Sequence, residues 1–113
     1  MDRSRVALGR WGEALVARGY EARGYEVLSR NWRCADGELD LVLGRDDEIV
    51  FCEVKTRTSS RFGTPGEAVG RAKRRRIRGL AVAWLEANGR SGRLRFDVAS
   101  VLAGRVDLIE NAF

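Results

Sequence analysis

Asp40 and the Glu53-Val54-Lys55 triplet are charged residues set in apolar surroundings, the first among Leu39, Leu41, Val42 and Leu43, the second after Ile49, Val50, Phe51 and Cys52. An ionised carboxylate among apolar side chains loses hydration, a cost that persists only where something compensates or uses it. Side chains at i and i+2 of a strand share a face, so Glu53 and Lys55 point the same way. The polar break Gly44-Arg45-Asp46-Asp47 separates the two runs, and a hairpin across it brings Asp40 toward the pair. Two carboxylates form a hard oxygen pair suited to Mg2+ or Mn2+, an ion that takes one or two protein carboxylates and completes its shell with water and substrate phosphate. Such an ion polarises a phosphoryl oxygen and activates water. A lysine on the same face can hold that water and stabilise charge developing at phosphorus. Asp40 and Glu53 are therefore the candidate metal ligands, and Lys55 the candidate nucleophile-positioning group, for phosphodiester hydrolysis.

Each residue also has an ordinary reading. Glu53 and Lys55 fit a same-face ion pair on a half-exposed strand, and Asp40 fits an acid at a turn or sheet edge. The joint pattern favours chemistry: an acid on one strand, acid-x-lysine on the next, both among β-branched and aromatic neighbours. Glu13, at the margin of a helical apolar stripe, is either a further carboxylate of the site or an exposed helix acid. Glu38 shares Asp40's face by the i, i+2 rule and is read as an auxiliary group. Lys73 lies four residues before Ile77, on or beside the buried face of a helix, within reach of the same side of the sheet.

The chain has no histidine, which excludes histidine general bases, Ser-His and Cys-His catalysis, and histidine metal sites. Cys34 and Cys52 form no CxxC pair and read as reduced packing residues of a cytosolic protein. With 113 residues, 44% of them hydrophobic, the chain suits one packed domain, residues 1–113, and is too short for two. No stretch approaches the ~20 apolar residues of a membrane span, and the N-terminus has no signal-type apolar core. The expectation is a soluble cytoplasmic protein without a membrane partner. A net charge of +5, from 21 Lys and Arg against 16 Asp and Glu, suits a polyanionic partner and serves solubility equally well.

These residues need elements to hold them. Asp2 or Ser4 can cap a first helix from near Arg5 through Ala22, with Leu8, Trp11 and Leu15 at helical spacing as its inward stripe. Gly9, Gly12 and Gly19 inside this pattern predict close packing against another backbone, or fraying at Gly19. Gly24 ends the helix, Tyr25 to Arg33 alternates as a strand, and the two site strands follow as a meander. Thr64, Pro65 and Glu67 form a helix start, and the second helix runs from about Pro65 to Ala87 with Ile77, Leu80, Ala81 and Trp84 inward, stopping at Asn88-Gly89. Strands over Leu94–Leu102 and Arg105–Ile109 complete the order αβββαββ. The fold class is α/β, a central mixed sheet flanked by helices.

Basic residues surround the acids. Lys73, Arg74, Arg75 and Arg78 on the second helix, and Arg57 at the end of the Glu53 strand, are candidate nucleic-acid contacts, since phosphate contacts supply most non-specific affinity. The run on the helix fits a solvated face as well. No zinc finger, aromatic RNA-binding signature or helix-turn-helix pattern is present, so sequence-specific readout is not indicated.

The pattern Gly37-Glu38-Leu39-Asp40-Leu41, followed by Phe51-Cys52-Glu53-Val54-Lys55-Thr56-Arg57, resembles the PD-(D/E)xK nuclease-like superfamily, in which an Asp and a Glu-x-Lys on adjacent strands bind metal and activate water. The whole chain is similar to the YraN family, a bacterial group akin to archaeal Holliday junction resolvases. This likeness runs through Gly9-x-x-Gly12-Glu13, Gly24-Tyr25, Arg30-Asn31, Phe62-Gly63, Glu67-Ala68-Val69, Lys73, Arg95-Phe96-Asp97-Val98 and Asn111-Ala112-Phe113. It implies a restriction-endonuclease-like (resolvase-like) core, Asp40 as the motif aspartate, Glu53 and Lys55 as the Glu-x-Lys, and Glu13 as the helical glutamate of resolvase-like members. Lys73 falls where related nucleases carry a polar residue on the following helix. The implied substrate is DNA, branched or otherwise structured, and a homodimer would match the two-fold symmetry of a four-way junction. Cys52 stands where valine is more usual, and Gly19 and Glu21 depart from an apolar helix end. A non-catalytic module that binds nucleic acid or protein, and a protein whose ion cluster only pins the sheet, are the competing expectations.

Overall fold

The computed structural model describes residues 3–57 and 70–113, with side chains from Val6 onward. Its elements are α1 (Arg3–Ala22), β1 (Glu26–Cys34), β2 (Gly37–Arg45), β3 (Glu48–Arg57), α2 (Arg71–Asn88), β4 (Arg93–Leu102) and β5 (Arg105–Ile109). The strands form one five-stranded sheet in the order β1-β2-β3-β4-β5. β3 and β4 run parallel, and the other neighbouring pairs are antiparallel. A parallel pair needs a long crossover, and α2 lies within it. The β2–β3 hairpin turns at Asp46, which adopts a left-handed φ of 55°, a conformation that Asp tolerates because its side chain can bond locally.

Alternation along β3 divides the interior in two. Ile49 and Phe51 face Ile77, Leu80, Ala81 and Trp84 of α2, joined by Val42, Phe96 and Val98. Val50 and Cys52 face Val16, Ala17 and Tyr20 of α1, joined by Leu41, Leu43, Ala99 and Val101. The helices therefore cover opposite faces of the sheet, and the inward face of α2 is the one its periodicity predicts. Both cysteines are free thiols, Cys52 fully within the core. Among the described residues, no helix is long and apolar enough to cross a membrane.

The α1 stripe differs from expectation. Trp11 is 45% exposed, whereas Val16, Ala17 and Tyr20 are buried. The cause is Gly12: a Cβ there would collide with the Thr56 hydroxyl, so the helix packs directly on β3 at this residue and the adjacent Trp11 turns outward. Gly9 and Gly19 meet no such neighbour. The helix does not fray at Gly19 but continues to Ala22. It stops at Gly24 (φ 89°), where the Gly24 N–H donates to Glu21 O at 3.0 Å and the Tyr25 N–H to Tyr20 O at 3.1 Å. Ser4 lies inside α1, so it is not the cap, and Asp2 lies outside the described residues. Thr64, Pro65 and Glu67 also lie outside them; described α2 begins at Arg71 after Gly70 and closes at left-handed Gly89.

Candidate functional site

β2 and β3 pair with Leu41 opposite Cys52, so the residue before Leu41 and the residue after Cys52 come abreast, and these are Asp40 and Glu53. The Val54 N–H donates to Asp40 Oδ2 at 2.8 Å, and the Asp40 N–H approaches Glu53 Oε2 at 3.5 Å. Each carboxylate thus leans on the neighbouring strand's backbone. Glu53 is buried, with 7% of its surface exposed. Two residues on, Lys55 follows on the side of the sheet covered by α2, and Lys73 reaches the same group from the first turn of that helix.

Burial is the main influence on these charges. It pushes the Glu53 carboxyl up to about 7, with the negative charge of Asp40 as the next cause; Lys73 and Lys55 pull the other way. Asp40 is also raised, chiefly by burial and secondarily by Glu38, against the Val54 hydrogen bond and the two lysines. Lys73 is lowered by burial and then by its hydrogen bond and repulsion with Lys55, while Glu53 and Asp40 raise it. Like charges within a few ångströms disfavour joint ionisation, so acids and lysines alike are crowded. Among the described residues, no ion pair within 4.0 Å joins either lysine to either carboxylate.

Glu13 approaches from the other helix. Asn31 on β1 has a left-handed φ of 49°, and the β1–β2 ladder pairs Arg30 with Leu41 and Trp32 with Leu39 while skipping Asn31 and Asp40. The freed Asn31 side chain hydrogen-bonds Glu13, whose carboxyl is nevertheless raised, first by burial and then by Asp40 and Glu38. Glu13, Asn31, Arg10 and Arg33 line a cavity of about 460 Å³ beside Asp40's strand. Glu38 is engaged by Arg33 at 3.1 Å, so its role next to Asp40 is a field effect rather than a contact.

The donor set bears on a metal. Among the described residues, no three or more His, Cys, Asp or Glu are grouped to hold an ion, so Glu13 does not complete a three-acid centre. The Asp40–Glu53 pair nonetheless fits Mg2+ or Mn2+: both carboxyls are held above their usual range, chiefly by burial, with the charge of Glu38 adding to the shift at Asp40 and that of Asp40 to the shift at Glu53. A dication shared by them offsets these charges, and one or two carboxylates with water suffice for such an ion.

The expected nucleic-acid residues separate. Lys73 joins the acid pair. Arg74, Arg75 and Arg78 line a different cavity with Gly70, Arg71 and Phe113. Arg57 lines a third with Leu8, Trp11, Thr56, Ala103 and Gly104.

The description "Uncharacterised protein family UPF0102" matches residues 12–101. The chain belongs to this family. A UPF0102 protein of Beutenbergia cavernae is 51% identical over 104 residues, which is 91% of this chain and 88% of that protein. One from Frankia casuarinae is 48% identical over 117 residues, covering 98% and 99%, and one from Frankia alni is 50% identical over 100 residues, covering 88% and 83%. The UPF0102 match contains Glu13, Asp40, Glu53, Lys55 and Lys73.

Two features of this UPF0102 chain lie outside the sequence expectations. One is Asn31 as the anchor of Glu13; its signal is an Asn, a residue disfavoured in strands, inside an otherwise alternating run. The other is a polar cluster on the α1 face. Asp97, fully buried, accepts from Tyr20 Oη at 2.5 Å, from Arg95 Nε at 2.9 Å and Nη2 at 2.8 Å, and from the Asn111 N–H at 2.9 Å. Arg95 Nη1 also reaches Tyr25 Oη and Glu48 Oε1, each at 3.2 Å. Burial and the neighbouring Cys52 and Asp97 hold the Tyr20 phenol far above its usual range. Arg95-x-Asp97 shares a face by alternation, but no local spacing connects it to Tyr20, 77 residues away.

Proposed function

We propose that this chain hydrolyses phosphodiester bonds in nucleic acid, with DNA as the first substrate to test, by means of a divalent cation held by Asp40 and Glu53. The observation that carries this reading is the pair of carboxylates abreast on β2 and β3, buried Glu53 and half-buried Asp40, crowded by two lysines yet tied to neither by a close ion pair among the described residues. A pair serving only to pin the sheet gains most from direct neutralisation, which this one lacks. The resemblance to PD-(D/E)xK nucleases supports the same assignment, with Asp40, Glu53 and Lys55 in the motif positions.

When bound, Mg2+ or Mn2+ polarises the phosphoryl oxygen and activates water. Lys55 orients the attacking water and stabilises the negative charge that builds on phosphorus. Lys73 repels Lys55 in the free protein, and a phosphate drawn against the two relieves that repulsion, so substrate anchoring falls to this pair. Glu13, held by Asn31, adds negative charge on Asp40's other side and strengthens its hold on a cation. A homodimer would present two such sites to a branched duplex.

A binding module without turnover is the second reading, favoured by the absence of a three-acid group among the described residues. Incubation with plasmid, linear single strands and a synthetic four-way junction in magnesium or manganese separates them, with Asp40→Asn and Lys55→Ala as controls. Metal-dependent cleavage lost in both variants supports the nuclease. Equal cleavage by all three proteins marks contamination and sinks it. Binding without cleavage that weakens steeply with salt supports the module.

A further inference from the structure

We propose that the arginine-lined cavity at the start of α2 seats the terminal phosphate of a nucleic-acid strand. The proposal rests on the nucleic-acid reading above and deepens it by naming strand ends as the preferred substrate feature. Arg71, Arg74, Arg75 and Arg78 stand at i, i+3, i+4 and i+7, one face of the helix. With Gly70 and Phe113 they line a cavity of about 420 Å³, room for a phosphate and part of its sugar.

Two of the four guanidiniums, those of Arg74 and Arg78, lie against aromatic rings. Phe113 stacks on Phe96 at 5.1 Å between ring centres, and Arg78 lies 5.5 Å from the Phe113 centre and 5.9 Å from that of Phe96. Arg74 lies 5.6 Å from Phe113. Contacts of this kind fix the guanidinium while leaving N–H edges for a ligand. Five arginines elsewhere, Arg23, Arg33, Arg93, Arg95 and Arg105, each pair with Asp or Glu. Among the described residues, Arg71, Arg75 and Arg78 form no such pair, and the first turn of α2 contains no acid. Cations stacked on one helix face repel one another, and an anion in the cavity relieves that repulsion.

A diester brings one negative charge, whereas a terminal phosphate brings nearly two at neutral pH and three acceptor oxygens. Guanidinium forks match that geometry bidentately. Phosphodiester hydrolysis generates such ends, and Lys73, which joins the acid pair, precedes Arg74 of the cavity on the same helix. N-terminal amides of α2 add to this field as a secondary contribution, because Gly70 supplies no side-chain cap.

Anisotropy with one short single strand, labelled internally and bearing a 5′-phosphate, a 3′-phosphate or hydroxyl ends, tests this in EDTA. One phosphorylated end binds about tenfold more tightly than hydroxyl ends, the scale of a charge-assisted contact. Inorganic pyrophosphate competes with that strand. Arg71→Ala with Arg75→Ala, both exposed, abolishes the preference at unchanged melting temperature, and Arg78→Lys, which keeps the charge but not the fork, reduces it. Equal affinity for all ends overturns the proposal, as does equal weakening of all strands in the double variant, which would mark a general basic surface. Asp40→Asn keeps the end preference. A wild type without end preference but with cleavage intact refutes this inference alone, and a wild type with the preference but without cleavage refutes only the nuclease reading.

Discussion

Glu53 and Asp97 lie one residue apart in register across β3 and β4, since Cys52 pairs with Asp97 and Glu53 with Val98, yet they face opposite helices. Asp97 receives four hydrogen bonds, two of them from Arg95. Among the described residues, Glu53 has a single 3.5 Å approach from the Asp40 N–H, and its carboxyl is pushed up to about 7. Burial penalises both anions, and among the described residues only Asp97 recovers the loss through hydrogen bonds. A saturated acid belongs to the architecture. An unsaturated one, as Glu53 is among the described residues, leaves room for a further partner.

Removing the saturated acid should have the largest effect. Asp97→Ala leaves Arg95 and Tyr20 without their shared acceptor, and urea unfolding should report a loss of ~3–5 kcal/mol, the scale for breaking one side of a buried pair. An unchanged midpoint would erase the contrast with Glu53.

Saturating Mg2+ or Mn2+ should stabilise the wild type by ~2.7 kcal/mol at about one hundred times its Kd, and should do nothing for Asp40→Asn. Protons compete with the ion for Glu53, so the gain should be greater at pH 8 than at pH 6. Equal gains in wild type and Asp40→Asn would place the ion elsewhere.

Without metal, the sign at Glu53 reverses. Its folded pKa, about 7, lies above the unfolded value near 4.5, so the folded state binds its proton more tightly, and stability falls as pH rises from about 4.5 to about 7. Glu53→Gln removes that loss. In EDTA at pH 8 it should be more stable than wild type by ~3 kcal/mol, with the difference vanishing near pH 4.5. A destabilised variant at pH 8 would make Glu53 an architectural acid like Asp97.

The exposed Arg23–Glu110 pair, 2.6 Å apart with side chains 41% and 46% exposed, gives the smallest effect. Glu110→Gln should change stability by less than ~1 kcal/mol, and less again at high salt.

The sequence made these two acids unequally legible. Glu53, Lys55 and Asp40 declared themselves by charge inside short apolar runs, with a hairpin break between them that limits the possible pairings. The α2 face, Ile77, Leu80, Ala81 and Trp84, followed from helical period alone. Asp97 did not stand out, because its partners Tyr20 and Asn111 reach it only through tertiary packing. Trp11 misled for a related reason: its spacing with Leu8 and Leu15 is helical, but the sheet selects the side of α1 that comes nearest, and Gly12 decides that side. Asn31 is a strand residue, and its positive φ leaves no mark on alternation. The arginines of α2 were visible as a run, yet their division from Lys73 depends on which turn meets Phe113.

Gly12 also sets a distance. Tyr20, bound to Asp97, anchors the C-terminal part of α1, while the close approach at Gly12 to Thr56 sets how deeply the other half settles on β3. The helix is thereby a lever with its fulcrum at Tyr20 and Glu13 on the moving arm. Any side chain at position 12 lifts that arm and draws the Glu13 carboxylate away from Asp40. Gly12→Ala is a means of altering the electric field at the candidate metal ligands without changing a single charged residue.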